Sequence, residues 1–475
     1  MGNCEIQDRS GARRRTMTAP SAGIDVIVVT SPPRGVRGPI GERASSQGGR
    51  RESRTRRGGP APRPGSGRTP VRPTIGTHVT RPSRAIPMSA SEGTPSRSST
   101  FGILGASGYT GRLVVAEGLR RGHRVVALGR DPGRVRSRLE ADGIDVDRDL
   151  VEIRTADVGD PQGLRGALEG LEVLLTTVGP FDQLGRDVLD AAIDTGTHYV
   201  DVTGEQHFIR WAYDERDAAA RAAGISAVPA AGFDFLPGDL LAGLAGDVVA
   251  DPFEIHVAYI VPSSGGLLRV TSAGTRRTAA TMLDRPGVAL DRGELVEEGL
   301  AEARRLAWFP RPVGPHHAAG IPGGEAISVP RHVPGVRSVR TYLAIPSWKA
   351  EAIQVVGSAA RWGPLRRRIT AVLERGSGGP SEERRRATRW GCVAEARGAD
   401  GVARAWAYGH DLYGLTATAM VVVGEALLGG GVAAGVIPPA SVAPPGELLD
   451  RIAARSDLRW SVARPDPTAD LPPVD

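Results

Sequence analysis

Across its 475 residues the chain has two cysteines and a single lysine, and aromatic residues make up only 4% of it. Cys4 and Cys392 lie far apart in sequence, which excludes a disulfide scaffold or a thiolate metal cluster and points to a reducing, cytoplasmic setting. The histidines form no His-Glu-x-x-His segment, and His316-His317 is an adjacent pair without accompanying ligands, so no metal is expected. With Lys349 alone, schemes needing several lysines are excluded, and arginines must bind any anion. Long apolar runs are missing as well. Val26–Val29 is short, Ala417–Leu428 is interrupted by Glu425, and neither approaches the ~20 residues that cross a bilayer. Peripheral attachment at the plasma membrane stays open.

Aromatics are wholly absent before Phe101, while Gly and Pro occupy 26 of the first 98 positions. Such a segment has little apolar surface to set against the entropy of ordering, and residues 1–98 are expected to be a disordered basic extension. Residues 1–100 hold 18 Arg against six acidic residues; this +12 exceeds the whole-chain +7, leaving −5 for residues 101–475. The basic balance therefore belongs to the extension, which argues against nucleic acid as the partner of the folded part. Met88 stands just ahead of the change in composition and is the expected translation start.

What the folding part does have is a run of strand and helix signals. Phe101–Leu104 is an apolar strand leading into Gly105-Ala106-Ser107-Gly108-Tyr109-Thr110-Gly111 and then a helix, with glycines spaced G-x-x-G-x-x-G. Gly105 permits the sharp turn, Gly108 the close approach of a diphosphate, and Gly111 close packing of helix on strand, while the helix N-terminus presents unpaired N–H groups. Arg124–Leu128 is a second strand. After it come Arg130 and Arg134 in place of an acidic residue, which favours the 2′-phosphate of NADP over NAD. Leu150–Thr155, Val173–Thr177, His198–Asp201 and Ile225–Pro229 continue the alternation. Asp157 follows the third strand, placed to approach an adenine or cap the next helix, and Val178-Gly179-Pro180 exposes backbone after the fourth. The pattern predicts an α/β fold, a Rossmann-type parallel sheet over residues 99–240.

A second α+β substrate domain is expected over residues 241–410, inserted before C-terminal helices. Its predicted elements are a strand at Phe253–Val261, a glycine-rich turn at Ser263–Gly266, a helix near Thr271–Leu283, strands at Ala326–Val329, Val339–Ile345 and Ala352–Val356, and a helix at Arg361–Leu373. Gly391–Arg397 and Val402–Gly409 alternate as a hairpin. Residues 411–440 are expected to return as a helix to the first domain, and 441–475 to form a tail.

Five residues are candidates for chemistry. Asp201 and Glu205, at and beyond a strand end, either orient Tyr199 or His198 or serve as a cap and loop carboxylate. Asp234, between Gly232 and Pro237, either faces the cleft or stabilises a turn. Tyr109 either donates a proton or fills space beside the phosphate turn, and His410 is either a general acid at the domain junction or structural. Ser107 lies in the phosphate turn rather than in a Gly-x-Ser-x-Gly elbow, which argues against covalent hydrolysis.

Gly105–Gly111, Gly129–Arg134, Val178–Phe181, Tyr199–Glu205 and Ala231–Asp234 together resemble the saccharopine dehydrogenase-like oxidoreductases. The similarity is strongest to the actinobacterial branch that includes the trans-acting enoyl reductase of phthiocerol lipid synthesis; it spans roughly residues 100–440 and is clearest through residue 240. The resemblance implies an NADP-dependent oxidoreductase, with an enoyl reduction on a lipid or polyketide intermediate as the leading reaction. Carbonyl, imine or saccharopine-type chemistry, and a nonenzymatic dinucleotide-binding interaction protein, are the alternatives. Lipid-like or other small-molecule acceptors are the expected partners, and a homo-oligomer stays open.

Overall fold

The computed structural model describes residues 100–149, 151–262, 271, 272, 274, 276, 286–359, 368, 369 and 378–464. The chain divides into two units, Met1–Ser89 and Ala90–Asp475; the first lies outside the described residues, as do the expected basic extension, the Ser263–Gly266 turn and most of the two helices expected near Thr271–Leu283 and Arg361–Leu373.

The second unit begins with strict alternation: β1 (Thr100–Leu104), α1 (Tyr109–Arg120), β2 (Arg124–Gly129), α2 (Pro132–Ala141), β3 (Glu152–Thr155), α3 (Pro161–Leu168), β4 (Val173–Thr176), α4 (Phe181–Asp194), β5 (His198–Asp201), α5 (Gln206–Trp211), α6 (Asp217–Ala223), β6 (Ser226–Val228) and α7 (Leu236–Val248). The central strands carry continuous apolar runs; Val125–Leu128 and Val173–Leu175 are buried, as a parallel sheet covered on both faces requires. Asp131 and Asp160 cap α2 and α3 by accepting from Arg134 N and Gly163 N, both at 3.0 Å, with Pro as the first helical residue in each case.

The second half contains β7 (Glu254–Ile260), β8 (Gly287–Asp291), β9 (Glu294–Glu298), β10 (Arg304–Trp308), β11 (Pro315–Ile321), α8 (Glu325–Ser328), β12 (Ser338–Ala344), α9 (Ser347–Ala359), α10 (Glu382–Ala387), β13 (Arg389–Gly398) and β14 (Gly401–His410). Then follow α11 (Leu412–Leu428), β15 (Gly435–Val436), α12 (Pro445–Ala453) and β16 (Arg459–Ala463). The first sheet runs β15-β6-β5-β4-β1-β2-β3, all parallel. The second is mixed, β10-β11-β12-β7-β13-β14-β16, with β8 and β9 attached through β12. The strand order reverses direction between β1 and β4, the switch point at which ligands bind in such sheets.

The observed architecture is the α/β fold that the sequence pattern predicts, a parallel sheet plus a second sheet-and-helix domain. Local details differ. Ala326–Val329 is the helix α8 and its continuation rather than a strand, and Ala352–Val356 lies within α9. A short apolar run does not distinguish strand from helix; in α9 the inward residues are Ala350 and Ile353, three apart, which is a helical interval. Residues 441–464 are no bare tail: α12 buries Leu448, Leu449 and Ile452, and β16 extends the second sheet beside β14. Helix α11 is apolar on all sides because it is enclosed, packing on α1, β4 and β5, and β15 then adds to the first sheet beside β6.

Candidate functional site

The carboxyl ends of β1, β4, β5 and β6 form one edge, and the glycine turn is its centre. Gly105 has φ +88, a left-handed conformation that favours glycine. Gly105 N and Ala106 N donate to Leu128 O at 3.0 and 3.2 Å, tying the turn to the end of β2, and Gly108 N donates to Gly105 O at 2.8 Å. A Cβ at Gly111 would stand 2.1 Å from Gly105 O, so α1 sits against the turn more closely than any side chain allows. Gly108 is exposed and no side chain caps α1. The first N–H groups of the helix therefore face outward, the donor set that a diphosphate takes. Ser107, Tyr109 and Thr110, in the same turn, are half-buried, and Ala106 is buried. These features fit a dinucleotide.

Beyond β2, Arg130 and Arg134 are exposed on the same side of the sheet end, with Asp131 between them used as the α2 cap. Asp157 accepts from Gly159 N at 3.0 Å in a local turn; Asp160, not Asp157, caps the following helix. Thr177 N donates to Leu104 O at 3.0 Å, holding the exit of β4 against the exit of β1. Val178, Gly179 and Pro180 follow, half-buried, directly before α4.

The carboxylates at this edge have separate duties. Glu205 accepts from Phe181 N at 3.0 Å and Asp182 N at 2.9 Å, so it serves the N-terminus of α4 from across the edge, where a neighbouring loop satisfies two orphan donors. Asp201 is fully buried; its Oδ1 accepts from Thr203 N and Ala230 N, each at 2.8 Å, binding the loops after β5 and β6 together. Burial pushes the Asp201 carboxyl up to about 7, against the hydrogen bonds it receives, which hold it down. Asp234, two residues beyond Gly232, is exposed to solvent but flanked closely by protein, which pushes its carboxyl up to about 6. Its neighbour Phe233 links α11 to the second domain: its N–H donates to Thr416 Oγ1 of α11 at 3.1 Å, and its ring lies 5.6 Å from Tyr259 and 5.5 Å from Trp390.

Tyr109 joins the two domains. Its hydroxyl donates to Pro380 O at 2.8 Å, its ring lies edge-on to Tyr413 at 5.0 Å, and burial pushes the phenol up to about 12. The hydroxyl is thus engaged by a carbonyl of the second domain beside the phosphate turn. Along β14 the inward residues are Ala403, Ala405 and Ala407, so His410 falls on the outer face with Trp406 and Tyr408, where it pairs with Asp457 and its N–H donates to the same carboxylate at 3.0 Å. The sequence reading missed the residues that meet the glycine turn and Phe233 from α11 and the second domain, Tyr413 on the helix and Pro380, Tyr259 and Trp390 beyond it. Nothing local marks them, because tertiary packing alone brings them there. It also missed Glu325, a wholly buried carboxylate that accepts from Tyr259 Oη at 2.7 Å and Thr341 Oγ1 at 2.8 Å; burial pushes it up to about 8.

Fold and edge together define a dinucleotide-binding protein, and a family model described as NAD(P)H-binding matches residues 105–209. Among curated proteins the chain is 37% identical over 147 residues to an Arabidopsis thaliana protein named as a saccharopine dehydrogenase-like oxidoreductase, covering 29% of this chain and 32% of that one. It is 35% identical over 142 residues to the trans-acting enoyl reductase of Mycobacterium leprae, covering 29% and 33%. The alignments span about a third of the length of these relatives. Among solved structures, apo saccharopine dehydrogenase (L-Glu forming) from Saccharomyces cerevisiae matches with a TM-score of 0.51 at 13% identity, covering 77% of this chain and all of that one, a likeness of fold. Over these stretches of 147 and 142 residues the chain is similar to a saccharopine dehydrogenase-like oxidoreductase and to a trans-acting enoyl reductase. Among the described residues no helix is long and apolar enough to cross a membrane.

Proposed function

We propose that the protein is an NADP-dependent oxidoreductase whose acceptor is an activated carbon–carbon double bond in a lipid-like intermediate. The observation that carries this reading is the shared edge: the uncapped α1 turn and the exposed Asp234 lie at the carboxyl ends of strands of one sheet, with the second domain reaching both through Pro380 and through Phe233. The glycine turn and the α1 N–H groups would hold the diphosphate, and Arg130 with Arg134 the 2′-phosphate. When bound, the reduced cofactor supplies a hydride.

The chain's own residues then have two tasks. Phe233, Tyr259 and Trp390 supply an aromatic backing beside Asp234, suited to an apolar acceptor and to exclusion of water. Asp234, whose carboxyl is raised above the usual carboxylate range, would be the group that passes a proton to the carbon next to the site of hydride addition. The enoyl acceptor is favoured over a carbonyl or imine by the names of the mycobacterial relatives.

Oxidation of NADPH with enoyl, carbonyl and imine acceptors tests the proposal, together with the same assay on Asp234→Asn. The expected result is turnover with an enoyl thioester and, in the variant, a fall in kcat of about 10²-fold or more with NADP affinity kept. Turnover only with carbonyl or imine acceptors would replace the substrate class, and an unchanged kcat in the variant would remove Asp234 from the reaction.

A further inference from the structure

The face of the second sheet that turns away from α7 carries a different chemistry. Strand alternation sends Ile255, Val257, Ala394, Ala396, Ala403 and Ala405 to the shared core, and His256, Glu395, Arg397 and Arg404 to the opposite side. There they line a recess of about 920 Å³. Arg304, Arg305, Arg397, Arg404 and Arg464 line it together with Glu395 and Asp400, while Glu351 and Glu254 pair Arg304 and Arg397 from its rim. Trp308 and Tyr342 stand in the wall with Arg404 Cζ 5.7 Å and Arg305 Cζ 5.6 Å from their ring centres, so two of the guanidiniums are steadied by aromatic rings.

The pairing in the recess is incomplete. Arg305 Nη2 donates to Glu395 at 2.8 Å, but Arg305 Nη1 is buried with no hydrogen-bond partner among the described residues, and so is His256 Nδ1. Burial, and then the Arg305 charge beside it, push the His256 imidazole down to about 3, so it stays neutral and adds no charge of its own. A buried donor without a partner, as Arg305 Nη1 is, is costly, and a recess of this size lined by five arginines is within the range that holds a small ligand.

We propose that this recess binds a small soluble polyanion of the phosphate-ester class, at a site separate from the dinucleotide edge. Guanidiniums already oriented by Glu395 and by aromatic rings pay little further entropy in gripping phosphate oxygens, and the two rings offer a flat surface to the body of the ligand. Because the site lies on the face opposite α7, its ligand is an effector or an anchoring group rather than the atom being reduced.

The test uses the full 475-residue chain labelled with 5-fluorotryptophan, with and without saturating NADP, and inorganic pyrophosphate as the probe. The Trp308 resonance, identified by its loss in Trp308→Phe, should shift with pyrophosphate and saturate below about 1 mM, with or without NADP. Arg304→Gln with Arg397→Gln, at the exposed rim, should weaken binding at least about tenfold while the thermal midpoint changes little. An unmoved Trp308 resonance, or an affinity indifferent to the two substitutions, would overturn the proposal and place phosphate binding on the arginine-rich first 98 residues. Vesicles containing phosphatidic acid form the second arm: a response to vesicles with none to pyrophosphate would overturn the soluble ligand in favour of a membrane surface.

Discussion

Gly111→Ala isolates the assumption on which the nucleotide reading depends. The added Cβ would lie 2.1 Å from Gly105 O, 2.8 Å from Gly105 C and 3.1 Å from Ala106 Cα, all backbone atoms that cannot rotate away. An ordinary contact begins near 3.4 Å, so α1 must retreat from the turn by about 1 Å, at a cost of ~1–3 kcal/mol by comparison with overpacked cores. The same displacement carries the α1 N–H groups out of hydrogen-bonding reach of a diphosphate held by the turn. The expected result is a loss of dinucleotide affinity of about 10- to 100-fold, or ~1.4–2.7 kcal/mol, for NAD and NADP alike, and a thermal midpoint lower by a few degrees. Gly166→Ala is the control. It lies in α3 with nothing within 4 Å of its Cβ position, and should leave affinity unchanged while stabilising the helix by ~0.5–1 kcal/mol. Calorimetric titration of both variants decides the matter: wild-type affinity in Gly111→Ala would show that the dinucleotide does not rest on this turn.

Arg130→Ala should weaken NADP by about tenfold or more and NAD hardly at all; equal losses measured by calorimetry would make Arg130 structural. Tyr109→Phe should cost ~1 kcal/mol of stability through the lost bond to Pro380, with the pH profile of turnover unchanged; a collapse of kcat with intact cofactor binding would make the phenol a proton donor. For Glu325 the carboxyl titrates near 4.5 when unfolded and at about 8 in the fold. The native state therefore keeps a proton that the unfolded chain has released, and stability falls as pH rises from about 4.5 through about 8. Glu325→Gln, which cannot ionise, should flatten that slope in urea titrations at pH 5, 6.5 and 8; an identical slope in both proteins would show that the carboxyl does not hold its proton in the fold.

The parallel sheet was legible in the sequence because its signals are local: apolar runs such as Val125–Leu128, each closed by a turn and followed by a Pro- or Gly-initiated helix. The glycine turn was legible for the same reason, since the left-handed φ of Gly105 is a local demand and the atoms crowding Gly111 belong to Gly105 and Ala106, at most six positions away. The second domain was less so. Strands β8 to β11 gave no signal of their own, and α8 and α9 contain apolar stretches whose helical state depends on what they pack against. Residues 445–463 look like a tail because α12 is short and β16 alternates only weakly, Trp460 and Val462 against Arg459, Ser461 and Ala463; both gain their structure from partners distant in sequence, β14 and α11. Site residues divide along the same line. Asp131 is identifiable as a cap from Asp-Pro alone, whereas the duty of Glu205 depends on α4 starting beside it.

That last distinction governs how any mutational study of the edge must be read. Asp201, Glu205 and Asp234 all stand where catalytic carboxylates stand, and replacing any of them should depress turnover. Glu205 holds the first N–H groups of α4, next to the Val178–Pro180 backbone, and Asp201 joins the two loops that present Asp234; their removal would misplace the ligand-binding edge without any change in proton chemistry. A loss of kcat alone therefore assigns nothing. Asp201→Asn keeps an oxygen for Thr203 N and Ala230 N and so should spare binding, while Glu205→Gln leaves one of its two N–H partners facing an amide and should raise KM first. Only Asp234, exposed and engaged by no hydrogen bond among the described residues, can lose its carboxylate without loosening its surroundings, so a kcat effect with KM and stability intact belongs to it alone. If Asp201→Asn produced that signature and Asp234→Asn did not, the buried carboxyl would be the proton source and the exposed one a bystander.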